Sequence, residues 1–280
     1  MLKKSEFMSK KIFITYGDGL YYNSLIRIRE QASSAGCFDE IITYTDADLP
    51  AEIRNHLLLR YKRGGGYWLW KPYFILKTLL DVAREGDVVV YSDAGSEVFK
   101  HASWNSFFKM METHGLICFK ITALMKYWTR QNLLQAFSAS CHNIDQMWQV
   151  MSGVSFWTRK ALPIAQEWYD VMFLHPEYVL DVTPDEREKE IAGFIENRHD
   201  QSVLTCVSHK YQRTCNVKFL WNRFYFFYPD GNALFTARIA STKERKDGKP
   251  HVVFPLWRRA IIMIRNIIRD IREAIYKHVL

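Results

Sequence analysis

The stretch VVVYSDAGSE at residues 88–97 joins four apolar, mostly β-branched residues to a carboxylate, a glycine and a second carboxylate. Residues 88–91 read as a buried strand, since an unbroken β-branched and aromatic run of this length suits a sheet with both faces covered. A carboxylate just past the C-terminal end of a parallel strand lies where α/β sheets bind ligands. Gly95 lets a backbone approach a phosphate, and Glu97 offers a second carboxylate. Carboxylates facing a diphosphate imply a bridging divalent cation, Mn²⁺ or Mg²⁺. The plainer alternative is that Asp93 only caps the following segment.

Upstream, KIFITY at residues 11–16 is a second apolar run, ended by Gly17-Asp18-Gly19. Helical spacing over 23–35, stopped by Gly36, and a strand over 38–44 complete a βαβ unit and predict a parallel sheet. Pro72 suits the first turn of a helix running to about residue 84. Further strands are expected at 116–121, at 150–157 with a break at Gly153, and at 219–228. Helices are expected at 161–173 and 201–208, with a capping box at Thr183 and Glu186. The fold class is therefore α/β, a Rossmann-like mixed but mostly parallel sheet flanked by helices.

The formal net charge of +8 and pI near 9.1 point to an anionic partner. Nucleic acid is disfavoured, because the positive charge gathers in the last quarter of the chain and is not interleaved with aromatics on one sheet. The five cysteines lack CxxC spacing and are expected to be reduced thiols of a cytoplasmic protein. No run of about 18 apolar residues predicts a transmembrane helix.

Residues 64–97, GGGYWLWKPYFILKTLLDVAREGDVVVYSDAGSE, and 196–205, ENRHDQSVLT, resemble a family of bacterial polysaccharide glycosyltransferases in the nucleotide-diphospho-sugar transferase superfamily. The likeness spans roughly residues 11–210. It implies a GT-A fold and transfer of a sugar from a nucleotide-diphospho-sugar, a UDP-sugar being favoured, to a saccharide acceptor. It also implies that Asp93 holds the first position of a DxD motif contacting metal and donor. Gly95 stands where the second Asp is expected, so Glu97 becomes the candidate second metal ligand.

In YWLWKP, Trp68 and Trp70 stack on the nucleotide base, wall the donor pocket, or simply pack helix against sheet, while Lys71 calls for a phosphate or carboxylate partner. In RHDQ, Asp200 is a candidate to orient an acceptor hydroxyl, act as a base or stabilise a sugar cation, with His199 beside it. An N-cap is the alternative. Gln201 joins the donor-binding candidates through a DQ element similar to that of retaining GT-A enzymes. Tyr16, Gly17 and Asp18 are expected at the base and ribose. Lys249, in Lys-Pro-His, faintly resembles a diphosphate clamp, though a surface loop explains it almost as well.

The segment WRRAIIMIRNIIRDIREAIYKHVL at 257–280 repeats apolar residues at helical spacing (Trp257, Ile261, Ile264, Ile268, Ile271, Ile275) with arginines on its flanks. Such a helix suits an anionic membrane, or packs on the catalytic domain or a second subunit. The expected organisation is a tail over 1–10, a catalytic domain over 11–255 and a basic helix over 256–280. The expected location is cytoplasmic and peripheral at the inner face of the plasma membrane, serving a lipid-linked or cell-surface acceptor of capsule, O-antigen or lipopolysaccharide type. Two other readings compete, a nucleic-acid-binding protein and a sugar nucleotidyltransferase. The second would want a basic Gly-rich loop after the first strand, and YGDGLYYN is not one.

Overall fold

The apolar runs at 11–16 and 88–91 lie side by side in one sheet. The computed structural model describes residues 9–222 and 233–236. Strand β1 (Lys11–Tyr16) leads through helix α1 (Tyr22–Ala35) to β2 (Glu40–Tyr44), and the two strands pair in parallel as expected. Helix α2 (Trp70–Asp81), with Pro72 in its first turn, precedes β3 (Val88–Ser92), which pairs in parallel with the other edge of β1.

The chain then runs through the short β4 (Glu97–Val98), α3 (Ser103–Met111) and β5 (Leu116–Leu124) to β6 (Trp148–Trp157). Helices α4 (Leu162–Leu174) and α5 (Asp200–Lys210) follow, then β7 (Val217–Trp221) and β8 (Leu234–Phe235). The six-stranded sheet has the order β2-β1-β3-β6-β5-β7, and β6 alone runs against its neighbours. The expected α/β fold, with a mostly parallel sheet flanked by helices, is present. A separate antiparallel pair joins β4 to β8.

Strand alternation divides the core into two layers. Ile12, Ile14, Val89 and Tyr91 face the layer that contains Phe74 of α2 and Trp168 of α4. Phe13, Val88 and Val90 face the layer that contains Ile28 of α1 and Trp104 of α3. Both faces of β1 and β3 are thus covered, which is why their sequences are continuously apolar.

Two expectations need correction. Strand β6 passes through Gly153 without a break. The glycine gives clearance instead, since a Cβ there would lie 2.8 Å from Asp93 Oδ2. Strand β7 begins at Val217, two residues earlier than expected, and the expected continuation beyond residue 222 lies outside the described residues. So do Lys249 and the helix expected over 256–280. The capping box at Thr183 and Glu186 is formed. All five cysteines are free, and burial pushes the Cys118 thiol up to about 12. Among the described residues no helix is long and apolar enough to cross a membrane.

The end of α5 makes an acid-sensitive joint. The His209 ring stacks on Phe219 of β7 with centroids 4.4 Å apart, and burial lowers its pKa to about 4. The unfolded chain therefore takes up this proton near pH 6.5 while the native state resists it until about pH 4. This part of the stability is complete above pH 6.5 and is lost as pH falls through that window. His209→Phe should flatten the decline in unfolding free energy between pH 6.5 and 4, read from urea titrations, by an amount on the order of 3 kcal/mol. Parallel declines in wild type and variant would exclude the joint.

Candidate active site

The carboxyl ends of β1 and β3 open into a cleft of about 480 Å³. The three sequence segments singled out above meet in it: Tyr16-Gly17-Asp18 after β1, Asp93 and Gly95 after β3, and His199-Asp200-Gln201 at the start of α5. Trp68, Trp70 and Lys71 line it as well.

Lys71 is the junction. It enters from the first turn of α2 and is 1% exposed. Its Nζ lies 3.2 Å from Asp93 Oδ1 and 3.1 Å from Asp200 Oδ2, and it donates a hydrogen bond of 3.2 Å to Ser152 Oγ on β6. The ammonium thus has two ion-pair partners and one hydrogen-bond acceptor. The rings of Trp70 and Tyr91 flank the charge, each centroid 5.6 Å from Nζ. Desolvation pulls the Lys71 pKa down, but Asp200 and Asp93 outweigh it and hold the group above its ordinary value. Lys71 has the carboxylate partners its sequence context called for. Its donors turn to protein oxygens, where a phosphate had been an equal expectation.

The two carboxylates differ. Asp200 is buried, and desolvation raises its pKa, with Asp93 adding to the rise and Lys71 and Ser152 opposing it. Asp93 has a side chain 42% exposed, and its Oδ1 accepts a 2.6 Å hydrogen bond from Tyr91. Neither acts as the cap considered from sequence. Asp200 is the first residue of α5, whose N-cap is His199 with no side-chain capping bond. The main chain fixes both residues: Trp168 Nε1 donates to Asp200 O at 3.0 Å, and Asp93 N donates to Gly153 O at 2.9 Å. Arg27 of α1 donates to Ala94 O and Ser96 O, holding the loop that carries Asp93 and Gly95.

The aromatic corner depends on the glycines. Gly64, Gly65, Gly66, Tyr67 and Trp68 all have positive φ, a left-handed run that only glycine adopts without strain. A Cβ on Gly64 would meet the Trp68 indole at 2.4 Å, and one on Gly66 would meet Leu59 at 2.8 Å. The turn delivers Trp70 against Tyr16, stacked at 4.0 Å with Nε1 donating to Gly64 O. Trp70 is thereby 7% exposed, packed on Tyr16 while still lining the cleft, and Trp68 remains half-buried beside it. Tyr16 donates to Asp18 Oδ2 at 3.2 Å, and burial together with that carboxylate raises its pKa. The Gln201 amide nitrogen donates to Gln149, a buried side chain on β6, which fixes its orientation.

The expected metal pair does not form. Glu97 is buried on β4, interacts with Arg27 and does not line the cleft. Proximity in sequence to Asp93 suggested it, but β4 carries the chain away to pair with β8. Gly95 brings no side chain. Among the described residues no group of three His, Cys, Asp or Glu side chains is arranged to hold a metal ion. Asp93 Oδ2 remains as one cleft carboxylate oxygen without a hydrogen bond among the described residues. One such oxygen can serve a cation that keeps other ligands of its own, such as water. With both carboxylates ionised, Asp93, Asp200 and Lys71 leave one net negative charge, which suits a cation there.

Ser152, Gln149, Tyr91 and Arg27 were missed from sequence. Only the Ser-Gly pair inside a strand hinted at a close approach.

Among solved structures, the fold is similar to a glycosyltransferase involved in the glycosylation of the major capsid of PBCV-1 (12% identity, TM-score 0.45, 78% of this chain and 85% of that one). It is also similar to an active-site mutant of LgtC (14%, 0.39, 74% and 72%). A third similar structure is 4-diphosphocytidyl-2C-methyl-D-erythritol synthase from Anaerococcus prevotii (14%, 0.38, 77% and 90%). No family model and no curated protein matches the chain. These likenesses are loose, and the geometry of the cleft stands independently of them.

Proposed function

We propose that the cleft is the active site of a GT-A-type glycosyltransferase, moving a sugar from a nucleotide-diphospho-sugar to a saccharide acceptor. One observation carries the reading. Asp93 at the end of a central strand and Asp200 at the start of a helix are drawn together by a buried lysine on the floor of a ligand-sized cleft.

In this reading the nucleoside lies toward Tyr16, Gly17 and Asp18, and the diphosphate lies over Asp93. Asp93 would hold a divalent cation, which would supply charge neutralisation for the leaving diphosphate. Lys71 keeps Asp93 and Asp200 in fixed positions, so little reorganisation accompanies the reaction. Asp200 supplies a fixed negative charge where positive charge develops on the sugar ring. Arg63 and Arg198 also line the cleft and add positive potential near the phosphates.

The reading is tested by thermal shift of the full-length protein with UDP-glucose, UDP-galactose, UDP-N-acetylglucosamine and GDP-mannose, and with UTP, GTP and the corresponding sugar 1-phosphates, each with and without Mn²⁺. A ligand at about 100 times its Kd stabilises the native state by about 2.7 kcal/mol. A shift with a sugar nucleotide supports the proposal; shifts only with nucleoside triphosphates and sugar 1-phosphates would point to a nucleotidyltransferase instead.

The acceptor in this proposal is a lipid-linked or cell-surface saccharide, and residues 257–280 dock the enzyme on an anionic bilayer. The sequence supports this through its apolar stripe and flanking arginines, each basic group being worth about 1 kcal/mol near such a surface. Full-length protein should bind phosphatidylserine vesicles, and more weakly at high salt, where charges are screened beyond about 3 Å at 1 M. Removal of 257–280 should abolish vesicle binding and leave nucleotide-sugar binding intact. Indifference of the full-length protein to anionic vesicles would remove the membrane proposal.

A further inference from the structure

His199 lines the cleft beside Asp200, and its side chain is 4% exposed. The ring is held on three sides. Trp68 stacks on it with centroids 5.6 Å apart, Tyr67 meets it edge-on at 5.1 Å, and Nδ1 lies 2.6 Å from the carbonyl oxygen of Val179. A carbonyl only accepts, so Nδ1 carries the proton. Burial lowers the pKa of the ring, which is therefore neutral and leaves Nε2 as a bare acceptor.

That acceptor has no hydrogen-bond partner among the described residues. Asp181 Oδ1 lies 3.8 Å away and already accepts from Arg63 at 2.8 Å. A carboxylate has no proton to give Nε2. The Tyr67 hydroxyl donates to Asp181 Oδ2 at 2.7 Å. The backbone of His199 is itself strained, at φ 53 and ψ −122. The fold thus tolerates a strained residue and an unmatched buried acceptor at one point, immediately before Asp200. Such coincidences mark places where a ligand completes the structure.

We propose that His199 Nε2 accepts a hydrogen bond from a hydroxyl of the saccharide that reacts over Asp200. This deepens the function proposed above and rests on it. A diphosphate oxygen has no proton to offer, whereas every free sugar hydroxyl does. The hydroxyl belongs to the transferred sugar or to the acceptor, and the two are separable by experiment.

His199→Asn suits the test. Its amide nitrogen can still donate to the Val179 carbonyl, and nothing replaces Nε2. The probe is whichever of UDP-glucose, UDP-galactose, UDP-N-acetylglucosamine and GDP-mannose binds wild type best, compared with its nucleoside diphosphate alone. Nucleoside diphosphate affinity should stay within about twofold, because the contact is to the sugar. If the hydroxyl is the donor's, affinity for the intact sugar nucleotide should fall about tenfold or more. If it is the acceptor's, donor affinity should hold while KM for a methyl glycoside acceptor rises by a similar factor.

Loss of nucleoside diphosphate affinity in step with that of the sugar nucleotide would overturn the inference in favour of a nucleobase contact. Unchanged donor affinity and acceptor KM in a folded variant would overturn it outright. Should His199→Asn fail to fold, mono-deoxy analogues of donor and acceptor answer the same question with wild type. One of them must lose about tenfold, and equal behaviour of them all would refute the contact. If wild type binds none of the sugar nucleotides, the proposed function itself has failed, which is a separate and earlier result.

Discussion

Lys71→Met should lower stability by about 3–5 kcal/mol, the range for removing one partner of a buried ion pair. Methionine fills most of the lysine volume, so the loss is electrostatic and not a cavity effect. It leaves Asp200, already buried, facing Asp93 with no cation between them. Asp200 then avoids the cost by keeping a proton. Its folded pKa, raised in the wild type, should rise further above the unfolded value. A raised carboxylate pKa means that the native state holds a proton the unfolded chain releases, so stability falls as pH increases through the folded pKa. The variant should consequently sit closest to wild type near pH 5 and fall behind toward pH 8. Urea midpoints at the two pH values measure this directly, and an unchanged midpoint at pH 8 would mean that Lys71 does not bridge the two carboxylates.

Asp200→Asn should act on turnover more than on folding. The substitution keeps the shape, and the contact from Trp168 reaches the main-chain oxygen and survives. Lys71 retains Asp93 and Ser152. What disappears is the negative charge proposed to face the developing sugar cation. Loss of one such preorganised electrostatic partner costs about 100- to 1,000-fold in kcat. Affinity for the sugar nucleotide should change little, because the charge matters mainly in the transition state. A folded variant with kcat within a few fold of wild type would remove Asp200 from the chemistry and leave it a structural partner of Lys71.

The parts of this arrangement legible in the sequence were those written locally. VVVYSDAGSE announced a buried strand ending in a carboxylate, and the same ten residues placed Asp93 at the cleft. A lysine after YWLW called for an anionic partner, and the RHDQ segment placed Asp200 at a helix start. Which anion Lys71 would meet was not legible, because Asp93 and Asp200 stand 22 and 129 positions further along the chain.

Ser152, Gln149 and the clearance at Gly153 depend on β6 inserting antiparallel between β3 and β5. Nothing in the alternation of WQVMSGVSFW distinguishes a strand beside a site from any core strand. Glu97 misled for the opposite reason. It is near Asp93 in sequence, but the chain turns into β4 within four residues and buries it beside α1. Trp70 was expected to stack on the base, wall the donor pocket or pack helix against sheet; Tyr16 takes one face of its ring, and the residue still lines the cleft. The empty acceptor on His199 arises from a backbone angle that no residue pattern specifies.

Asp93 and its partners are proposed to bind and activate a nucleotide-diphospho-sugar. The decisive assay follows release of nucleoside diphosphate from the best-binding sugar nucleotide, with Mn²⁺ and a saccharide acceptor, for wild type and Asp93→Asn at matched stability. Wild type should release it in an acceptor-dependent way, and the variant should lose about 100-fold or more together with donor affinity. Equal rates in a folded Asp93→Asn protein would contradict that role for Asp93.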